Sequence, residues 1–452
     1  MFMSSQHVIA IFGGAVAGSE AAAQLSARGK QVVVFDQNAL PYGKIENGLP
    51  KWHYKLRDRQ EGLINEKLNH PLVHFVPNIK LGRDVSFNEI VNEWGFSAVL
   101  LATGAWADRP LPIEGINDYE NKGLYYQNPF VAWFNHNHDP GYKGRWYDIP
   151  DGAIIVGGGL ASIDVAKIVM IETTRQALEK RGITVNALEL EHKGIPKVLD
   201  EHGLQFSDLG LKGCTLFTRR DVGGMALTPM PENPTPEERE KAMKTREKLM
   251  SKVREKFLFN LETHRAPVNK IVENGRLAGL VFEETRDENG RLVSIPDSRR
   301  EYRAPLVISS IGSIPEKIPG LPYEGDIFKV DDRRQGKISG FDNVFALGNA
   351  VTGRGNIRES VIHSRQVSET IVDQFLVVNE QDYNTLFQAA EERAKVRIDA
   401  MMQSLEVCEL KPEGKVQEIL KKVEALQKKV GYDGDYDKWI KNHLPPRLEN
   451  MA

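Results

Sequence analysis

The stretch of sequence that decides the fold, HVIAIFGGAVAGSEAAAQLSARGKQVVVFD, covers residues 7–36. An apolar strand leads into a glycine turn, an alanine-rich helix and a second apolar strand that ends at Asp36. The stretch GAIIVGGGLASIDVAKIVM, residues 152–170, repeats the order of strand, glycine turn and helix. Alternating strands and helices of this kind predict parallel sheets that are covered by helices.

The rest of the chain predicts how these two units are arranged. Its 452 residues are enough for two or three domains with a large core. Further strand-to-turn units read AVLLATGAW, PLVISSIGS and NVFALGNAVTGRGNIRES. We predict an α/β fold with two Rossmann-like three-layer nucleotide-binding domains, one inserted in the other, and a helical C-terminal extension. The first domain would comprise residues 1–115 and 325–378, the inserted domain residues 116–324 and the extension residues 379–452.

One segment of the predicted extension has a helical hydrophobic period. Its apolar residues are spaced by three and four, as in a coiled coil; they are Val416, Ile419, Val423, Leu426 and Val430. Because the segment spans only about two heptads, we predict a helix that docks on its own chain.

Composition and charge exclude several classes of function. Lysine and arginine number 59 against 62 acidic residues, a formal net charge of −3, which argues against a general nucleic-acid or membrane-surface binder. The two cysteines, Cys214 and Cys408, exclude a Cys-x-x-Cys redox pair, a four-cysteine iron–sulfur site and a disulfide framework. No metal site is predicted. The N-terminal segment shows neither a signal-peptide pattern nor a long apolar span, so a cytoplasmic protein is expected.

The first glycine turn has the pattern of a dinucleotide site. Gly13, Ala15 and Gly18 stand at the GxGxxG positions, where the outer glycines allow the tight turn and the close approach of helix and strand. The helix N-terminus would offer N–H groups to a pyrophosphate. Asp36 follows Gly13 by 23 residues, where an acid can bond ribose hydroxyls. Ala15 departs from the pattern, because its methyl group stands where the backbone approaches the phosphate.

The second glycine turn predicts a different ligand. Gly157, Gly159 and Ser162 stand at the three key positions, and the next strand ends in Arg219 and Arg220. An acid there would bond the 2′-hydroxyl of NAD, whereas guanidinium groups accommodate the 2′-phosphate of NADP. The alternative is a solvated basic loop. We predict an NADP site.

Several motifs together resemble a known family. They are PYGKIENGLP (41–50), NIKLGRDVSFNEI followed by AVLLATGA, FTRRDVGGMALT (217–228) and VISSIGS (307–313). Over about residues 7–375 the chain resembles adrenodoxin reductase, its bacterial ferredoxin–NADP reductase relatives and the glutamate synthase small-subunit flavoproteins. The resemblance implies that the first turn binds FAD, that the inserted domain binds NADPH, and that electrons pass to a small iron–sulfur protein.

The resemblance also implies individual cofactor contacts. For FAD they are Gly13, Ala15, Ala17, Gly18, Asp36, Lys44, Val85, Gly348, Asn349, Asn356 and Ile357. For NADP they are Gly157, Gly158, Gly159, Leu160, Arg219, Arg220 and Gly355. Asp36 is shorter than the family's usual glutamate, and Asn349 replaces the usual Asp or Trp. The cysteines that precede the glutamate synthase small subunit are absent, which favours the simple reductase.

The expected chemistry is hydride transfer between nicotinamide C4 and flavin N5, in which the protein supplies position. The helix that opens at residues 355–358 would direct its N–H groups at the reduced flavin. No side chain is assigned as catalytic. His363 lies on the same predicted helix, but a lone histidine on a helix is usually structural or exposed rather than a proton relay. Without a redox cysteine pair, the flavin is expected to exchange electrons directly with a ferredoxin or flavodoxin.

A small acidic carrier of this kind would dock on a basic patch. Residues 237–256 hold eight basic residues against five glutamates, and a second cluster comprises Lys51, His53, Lys55, Arg57 and Arg59. Solvated charged faces are the alternative for both. Two further functions stay open. One is a flavoprotein subunit that joins a larger complex through the C-terminal tail, and the other is a non-catalytic module that binds FAD and NADP.

Overall fold

The computed structural model describes residues 7–228, 234–288, 291–332, 335–348, 378–406, 408 and 410–447. The strands are β1 Val8–Phe12, β2 Gln31–Phe35, β3 Val73–Val76, β4 Ala98–Leu101, β5 Ala107–Asp108, β6 Leu124–Tyr126, β7 Ile154–Gly157, β8 Thr215–Phe217, β9 Asn260–Glu262, β10 Arg265–Glu273, β11 Arg276–Glu288, β12 Arg291–Ser294, β13 Arg300–Arg303, β14 Val307–Ser310, β15 Ser313–Ile314, β16 Tyr323–Glu324, β17 Ile327–Phe328 and β18 Val344–Ala346. The α-helices are α1 Val16–Ala27, α2 Lys44–Gly48, α3 Tyr54–Leu68, α4 Phe87–Asn92, α5 Gln127–His136, α6 Leu160–Glu179, α7 Ala187–Lys193, α8 Ile195–Glu201, α9 Pro236–Phe257, α10 Val378–Glu406, α11 Glu413–Lys429 and α12 Tyr436–His443.

The first sheet has five parallel strands in the order β18-β4-β1-β2-β3. Every residue of the central strand β1 is buried, as expected where helices cover both faces of a parallel sheet. Phe12 aligns with Phe35, so the strands β1 and β2 end side by side. The first glycine turn and Asp36 therefore leave the sheet at the same edge.

The second sheet also has five parallel strands, in the order β6-β14-β7-β8-β9. Val156 near the end of β7 aligns with Phe217 at the end of β8. The second glycine turn and the arginine pair therefore also leave the sheet at one edge. The α/β fold class predicted from the sequence is confirmed, while the residue boundaries of the two domains stay a prediction.

Three smaller sheets accompany these units, one of them the antiparallel pair β16–β17. Strands β5 and β15 lie on the two chain segments that run between the large sheets, and they pair antiparallel, with Ser313 opposite Asp108. Strands β10 to β13 form an antiparallel sheet around β11. Phe282 of β11 stacks on Phe217 of β8 at 4.2 Å between ring centroids. This contact fixes the antiparallel sheet beside the strand that carries the arginine pair.

The C-terminal helices pack on the first sheet. Val416, Ile419 and Val423 of α11 are at most 3% exposed and belong to one apolar cluster with Phe87 and Trp94. The sequence-based prediction that this helix docks on its own chain is thus confirmed. Among the helices that the structure describes, none is both long and apolar enough to cross a membrane.

The segment after α11 is also fixed to the first unit. Tyr436 of α12 packs edge-on against Phe75 of β3 at 5.4 Å, and the indole N–H of Trp439 donates to the carbonyl of Ala39 at 2.8 Å. Arg447 forms ion pairs with the buried carboxylates of Glu46 and Glu61, at 3.0 and 2.5 Å. The C-terminal helices are therefore an integral part of the first unit.

Candidate dinucleotide-binding sites

The first glycine turn requires glycine at two of its positions. Gly13 has φ of +104°, and a Cβ there would lie 2.3 Å from the carbonyl oxygen of Ala102. A Cβ on Gly18 would lie 1.8 Å from the carbonyl oxygen of Gly13. Any side chain at either position would therefore displace backbone, which accounts for the glycines through the tight turn and the close helix–strand approach that the pattern predicts.

Asp36 is tied to this turn through both of its carboxylate oxygens. Oδ2 accepts the backbone N–H of Gly14 at 2.8 Å, and Oδ1 accepts the N–H of Asn38 at 2.9 Å. Burial raises the pKa of Asp36 to about 6, against the opposing effect of these two N–H groups. Each oxygen keeps a second lone pair, so the carboxylate can accept further hydrogen bonds from ligand hydroxyls.

Asn38 is a candidate site residue that sequence reasoning missed. Its side-chain Nδ2 is buried, and no described group accepts a hydrogen bond from it. A buried amide N–H without an acceptor costs free energy in the ligand-free protein. The neighbouring carboxylate of Asp36 and this donor together fit a polar ligand group such as a ribose. The only sequence signal was its place two residues after Asp36.

Three more of the predicted FAD contacts surround the same turn. Ala15 precedes α1, and a Cβ on Gly43 would lie 2.9 Å from its methyl carbon. Gly43 thus accommodates the methyl group that departs from the glycine pattern. At the end of β18, a Cβ on Gly348 would lie 3.5 Å from the methyl carbon of Ala17. The structure therefore brings Ala15, Ala17 and Gly348 together at the N-terminal end of α1.

Lys44, also predicted to contact FAD, lies in a polar cluster between the two units. Its partly buried ammonium donates to Asn128 Oδ1 of α5 and to Ser313 Oγ of β15, both at 2.9 Å. Burial lowers its pKa to about 8, although the carboxylate of Asp108 opposes that effect. Burial likewise raises the pKa of Asp108 to about 6, opposed most by the backbone N–H of Asn128. This cluster joins α2 to both crossing segments.

A cavity of about 260 Å³ adjoins this cluster on the side of Asp108. Its lining residues are Trp106, Ala107, Asp108, Pro110, Asn117, Glu120, Tyr126 and Pro129. Tyr126 donates a hydrogen bond to Asn117 within this wall. The cavity has room for a small ring beside the polar cluster that lies between the two units.

Of the remaining predicted FAD contacts, the structure describes only Val85. The side chain of Val85 is 5% exposed and packs in the apolar cluster below the first sheet. Asn349, Asn356 and Ile357 lie outside the described residues, as do Gly355 and His363. Their roles stay predictions.

The second glycine turn is capped by the residue that replaces the third glycine. A Cβ on Gly157 would lie 2.6 Å from the carbonyl oxygen of Ser310, so the strand passes close to β14 here. Ser162 Oγ donates to the carbonyl of Gly159 at 2.6 Å and accepts its N–H at 3.2 Å. A Cβ on Gly159 would meet nothing within 4 Å. Open space therefore lies at the N-terminus of α6, which begins at Leu160, as a phosphate site requires.

The chain after β8 folds back over this turn. The N–H of Ala226 donates to the carbonyl of Gly158 at 3.0 Å, and Thr218 Oγ1 lies 3.1 Å from where a Cβ of Gly158 would stand. Arg219 follows Thr218 directly, so the arginine pair begins beside the turn. The structure thus brings together those predicted NADP residues that it describes.

The two arginines differ in their surroundings. The side chain of Arg219 is exposed, and no described carboxylate forms a salt bridge with it. Arg220 is partly buried, and its Nη1 lies 3.0 Å from Oδ2 of Asp287 on β11. One guanidinium is therefore available to an anion directly, while the other already has a carboxylate partner.

Three of the five basic residues at 51–59 are buried, so the cluster is not one continuous surface patch, but Lys55 and Arg59 are exposed and its role in docking stays a prediction. Lys51, His53 and Arg57 are at most 7% exposed. Arg57 pairs with Glu46 at 2.6 Å, and His53 Nε2 lies 3.9 Å from Asp164 of α6. Charged groups are ordinarily expected at the surface, whereas here Glu46 and Asp164 meet Arg57 and His53 in the interior.

Helix α9 is the other candidate patch, and its exposed face carries charges of both signs. Lys244 pairs with Glu240 at 2.7 Å on this face. Arg246 is buried instead, where it donates to Thr228 Oγ1 at 3.1 Å and to the carbonyl of Gly223 at 2.7 Å. The role of helix α9 in docking stays a prediction. The described residues contain no group of three or more side chains suited to hold a metal ion.

Comparisons with known proteins identify relatives of the chain. Residues 7–193 match the family model described as pyridine nucleotide-disulphide oxidoreductase. The mitochondrial NADPH:adrenodoxin oxidoreductase of Arabidopsis thaliana is 31% identical over 175 residues, which cover 38% of this chain and 34% of that protein. NADPH-ferredoxin reductase FprA of Mycobacterium leprae is 24% identical over 404 residues, which cover 83% of this chain and 86% of that protein. The resemblance predicted from the motifs is confirmed.

A solved structure extends the likeness to the fold. Mycobacterium tuberculosis FprA in complex with NADPH aligns with a TM-score of 0.64 and 20% identity, over 94% of this chain and 91% of that one. At this identity the alignment shows a common fold. The named relatives are oxidoreductases. The match to the Arabidopsis protein spans about a third of that protein's length.

Proposed function

We propose that the protein is an FAD-dependent oxidoreductase. It would transfer hydride between NADPH and FAD and pass electrons to or from a ferredoxin- or flavodoxin-type carrier. The observation that carries the proposal is the pair of glycine turns on two parallel sheets of corresponding strand order, one beside a buried carboxylate and the other beside two arginines. Such a pair suits two dinucleotides of different charge.

The first unit's residues would hold FAD. The N-terminus of α1 offers N–H groups to the pyrophosphate, and Gly13 and Gly18 keep the backbone close enough for that contact. The carboxylate of Asp36, held by two N–H groups, would accept from ribose hydroxyls. FAD, when bound, supplies the redox chemistry that links a two-electron donor to a one-electron carrier.

The second unit's residues would hold NADPH. The N-terminus of α6, open beside Gly159, would receive the pyrophosphate. Arg219 and Arg220 would bind the 2′-phosphate through charge-assisted hydrogen bonds. The likeness to reductases named for NADPH supports this assignment.

The visible spectrum of the purified protein tests the proposal. We expect bound flavin that bleaches under anaerobic conditions with NADPH and much more slowly with NADH. Reduced protein should then reduce an added ferredoxin or flavodoxin. Absence of flavin would overturn the proposal, and bleaching with neither nucleotide would favour a non-catalytic module. Equal bleaching by both nucleotides would refute the role of the arginines.

The packing of the C-terminal helices does not favour a larger complex joined through this tail. The apolar faces of α11 and α12 are already buried against the first unit. Deletion of residues 379–452 would therefore expose core surface, and it does not separate partner binding from folding.

A further inference from the structure

Asp287 stands at the proposed 2′-phosphate site although it belongs to the antiparallel sheet. It is the next-to-last residue of β11, and its Oδ2 lies 3.0 Å from Nη1 of Arg220. A carboxylate is an unexpected neighbour for a site that takes a phosphate, because the two anions repel each other.

The strand holds this carboxylate in place. Thr285 Oγ1 donates to the carbonyl of Arg219 at 2.7 Å, and the Thr285 N–H donates to the carbonyl of His264 at 3.0 Å. Phe282, three residues earlier, stacks on the strand that carries the arginines. Three contacts along β11 thus fix the position of Asp287 relative to the arginine pair.

We propose that Asp287 is a specificity-determining residue that competes with the 2′-phosphate for Arg220. This inference rests on the proposed NADP site and assigns a regulator of its affinity. The side chains of Arg220 and Asp287 are 32% and 47% exposed, and an ion pair exposed to this degree contributes little stability. A phosphate monoester carries a charge of about −1.5 to −2 near neutral pH, so it can displace the carboxylate from Arg220.

The two arginines then have separate tasks. Arg219, exposed and without a described carboxylate partner, meets the phosphate first. Arg220 joins only when it leaves Asp287, and the displaced carboxylate stays close enough to weaken the complex. Asp287 thereby keeps NADP(H) affinity below the level that two uncompensated arginines would give.

The test measures equilibrium binding to the purified holoprotein, with adenosine 2′,5′-bisphosphate and 5′-AMP as probes. For Asp287→Asn we expect about two- to fivefold tighter binding of the bisphosphate, the size that an exposed charge pair allows, and unchanged binding of 5′-AMP. In an Arg220→Ala background, adding Asp287→Asn should give no further gain in bisphosphate affinity, because the arginine that Asp287 restrains is gone.

Glu288→Gln is the matched control. Glu288 is the neighbouring residue of β11 and pairs with Arg286 at 2.6 Å rather than with the arginine pair. The Glu288→Gln substitution removes the same charge from the same strand, and bisphosphate binding should stay unchanged. An equal gain in this variant would reduce the effect to general electrostatics and overturn the inference.

The outcomes also separate this inference from the proposed function. If the unaltered protein binds the bisphosphate no better than 5′-AMP, the NADP site itself is wrong. If it prefers the bisphosphate but Asp287→Asn leaves that preference unchanged or lowers it, the NADP site stands and the competition by Asp287 is refuted.

Discussion

The two large sheets have corresponding strand orders, yet they differ in the residues that follow β2 and β8, the strands next to each glycine turn. Asp36, after β2, is buried and bonds the backbone of its glycine turn. Arg219, after β8, is exposed, and Arg220 reaches a carboxylate on another sheet. A buried acid fixed by backbone N–H groups suits neutral hydroxyls, whereas exposed guanidinium groups suit a charged phosphate that is partly hydrated. Under the proposed function, one architecture would thus discriminate between ligands by the residue that follows this strand.

Substitutions in the glycine turns should have the largest effect on cofactor binding and stability. In Gly18→Ala the new methyl group would overlap the carbonyl of Gly13, whose oxygen lies 1.8 Å away. Because backbone has to move, we expect loss of bound flavin and destabilisation by about 3 kcal/mol or more. Flavin absorbance per protein and thermal unfolding measure both effects.

Gly62→Ala is the control for that substitution. Gly62 is exposed on α3, and a Cβ there meets nothing within 4 Å. Alanine at this position should retain flavin and stabilise the helix by about 0.5–1 kcal/mol. Normal flavin content in Gly18→Ala would mean that the first turn tolerates a wider backbone than the structure shows.

The first sheet, unlike the second, depends on C-terminal helices, and a charge placed in that contact should be the next largest effect. Val423 is 1% exposed on α11. Val423→Asp buries a carboxylate without a partner, and we expect about 3–4 kcal/mol of lost stability. Lys421→Asp, at an exposed position of the same helix, should change the free energy of unfolding by less than about 1 kcal/mol. Similar losses in the two variants, measured by denaturant unfolding, would contradict the packing of α11.

Asp36 should make the stability of the flavin-depleted protein depend on pH. Its pKa rises from 3.8 to about 6 on folding because of burial. A raised pKa means that its stabilising contribution is present below about pH 4 and is lost as the pH rises through about 6. The stability of Asp36→Asn relative to the unaltered protein should therefore increase by about 2–2.5 kcal/mol between pH 4 and pH 7. Denaturant unfolding across this range measures the difference; parallel curves would show that Asp36 titrates normally.

The arginine pair should show a smaller effect, confined to one nucleotide. Arg219→Ala together with Arg220→Ala should raise the KM for NADPH by about 10- to 100-fold, since each charge-assisted hydrogen bond contributes about 1.5–3 kcal/mol and part is regained from water. The KM for NADH should change little. Arg219→Ala alone should cost more than Arg220→Ala alone, because Asp287 already compensates Arg220. Arg239→Ala, at an exposed position of α9, serves as the control, and equal losses for both nucleotides would mean that the pair only holds the loop.

The features that the sequence could predict are those encoded within short segments. The glycine turns, Asp36 and the arginine pair each follow a strand directly, so strand and turn signals locate them. The period of α11 likewise predicted its buried face, although it could not name the sheet beneath it.

The features that it could not predict depend on contacts between distant segments. Arg57 pairs with Glu46 nearby in sequence, but the burial of Glu46 and Glu61 also depends on Arg447 from far along the chain. The same holds for Asp287, which reaches Arg220 only through the stacking of β11 on β8. A charged residue is ordinarily assigned to the surface, and nothing local indicates a partner hundreds of residues away.

The contribution of the C-terminal helices to the first sheet has a consequence for synthesis on the ribosome. The second sheet draws its strands from one uninterrupted stretch, β6 to β14. The first sheet takes β18 from the other side of that stretch, and residues up to Arg447 complete its packing. Domains fold as units when their segments have emerged. We therefore expect the unit that contains β6 to β14 to fold first, while β1 to β4 complete their packing only after residues up to Arg447 have been translated.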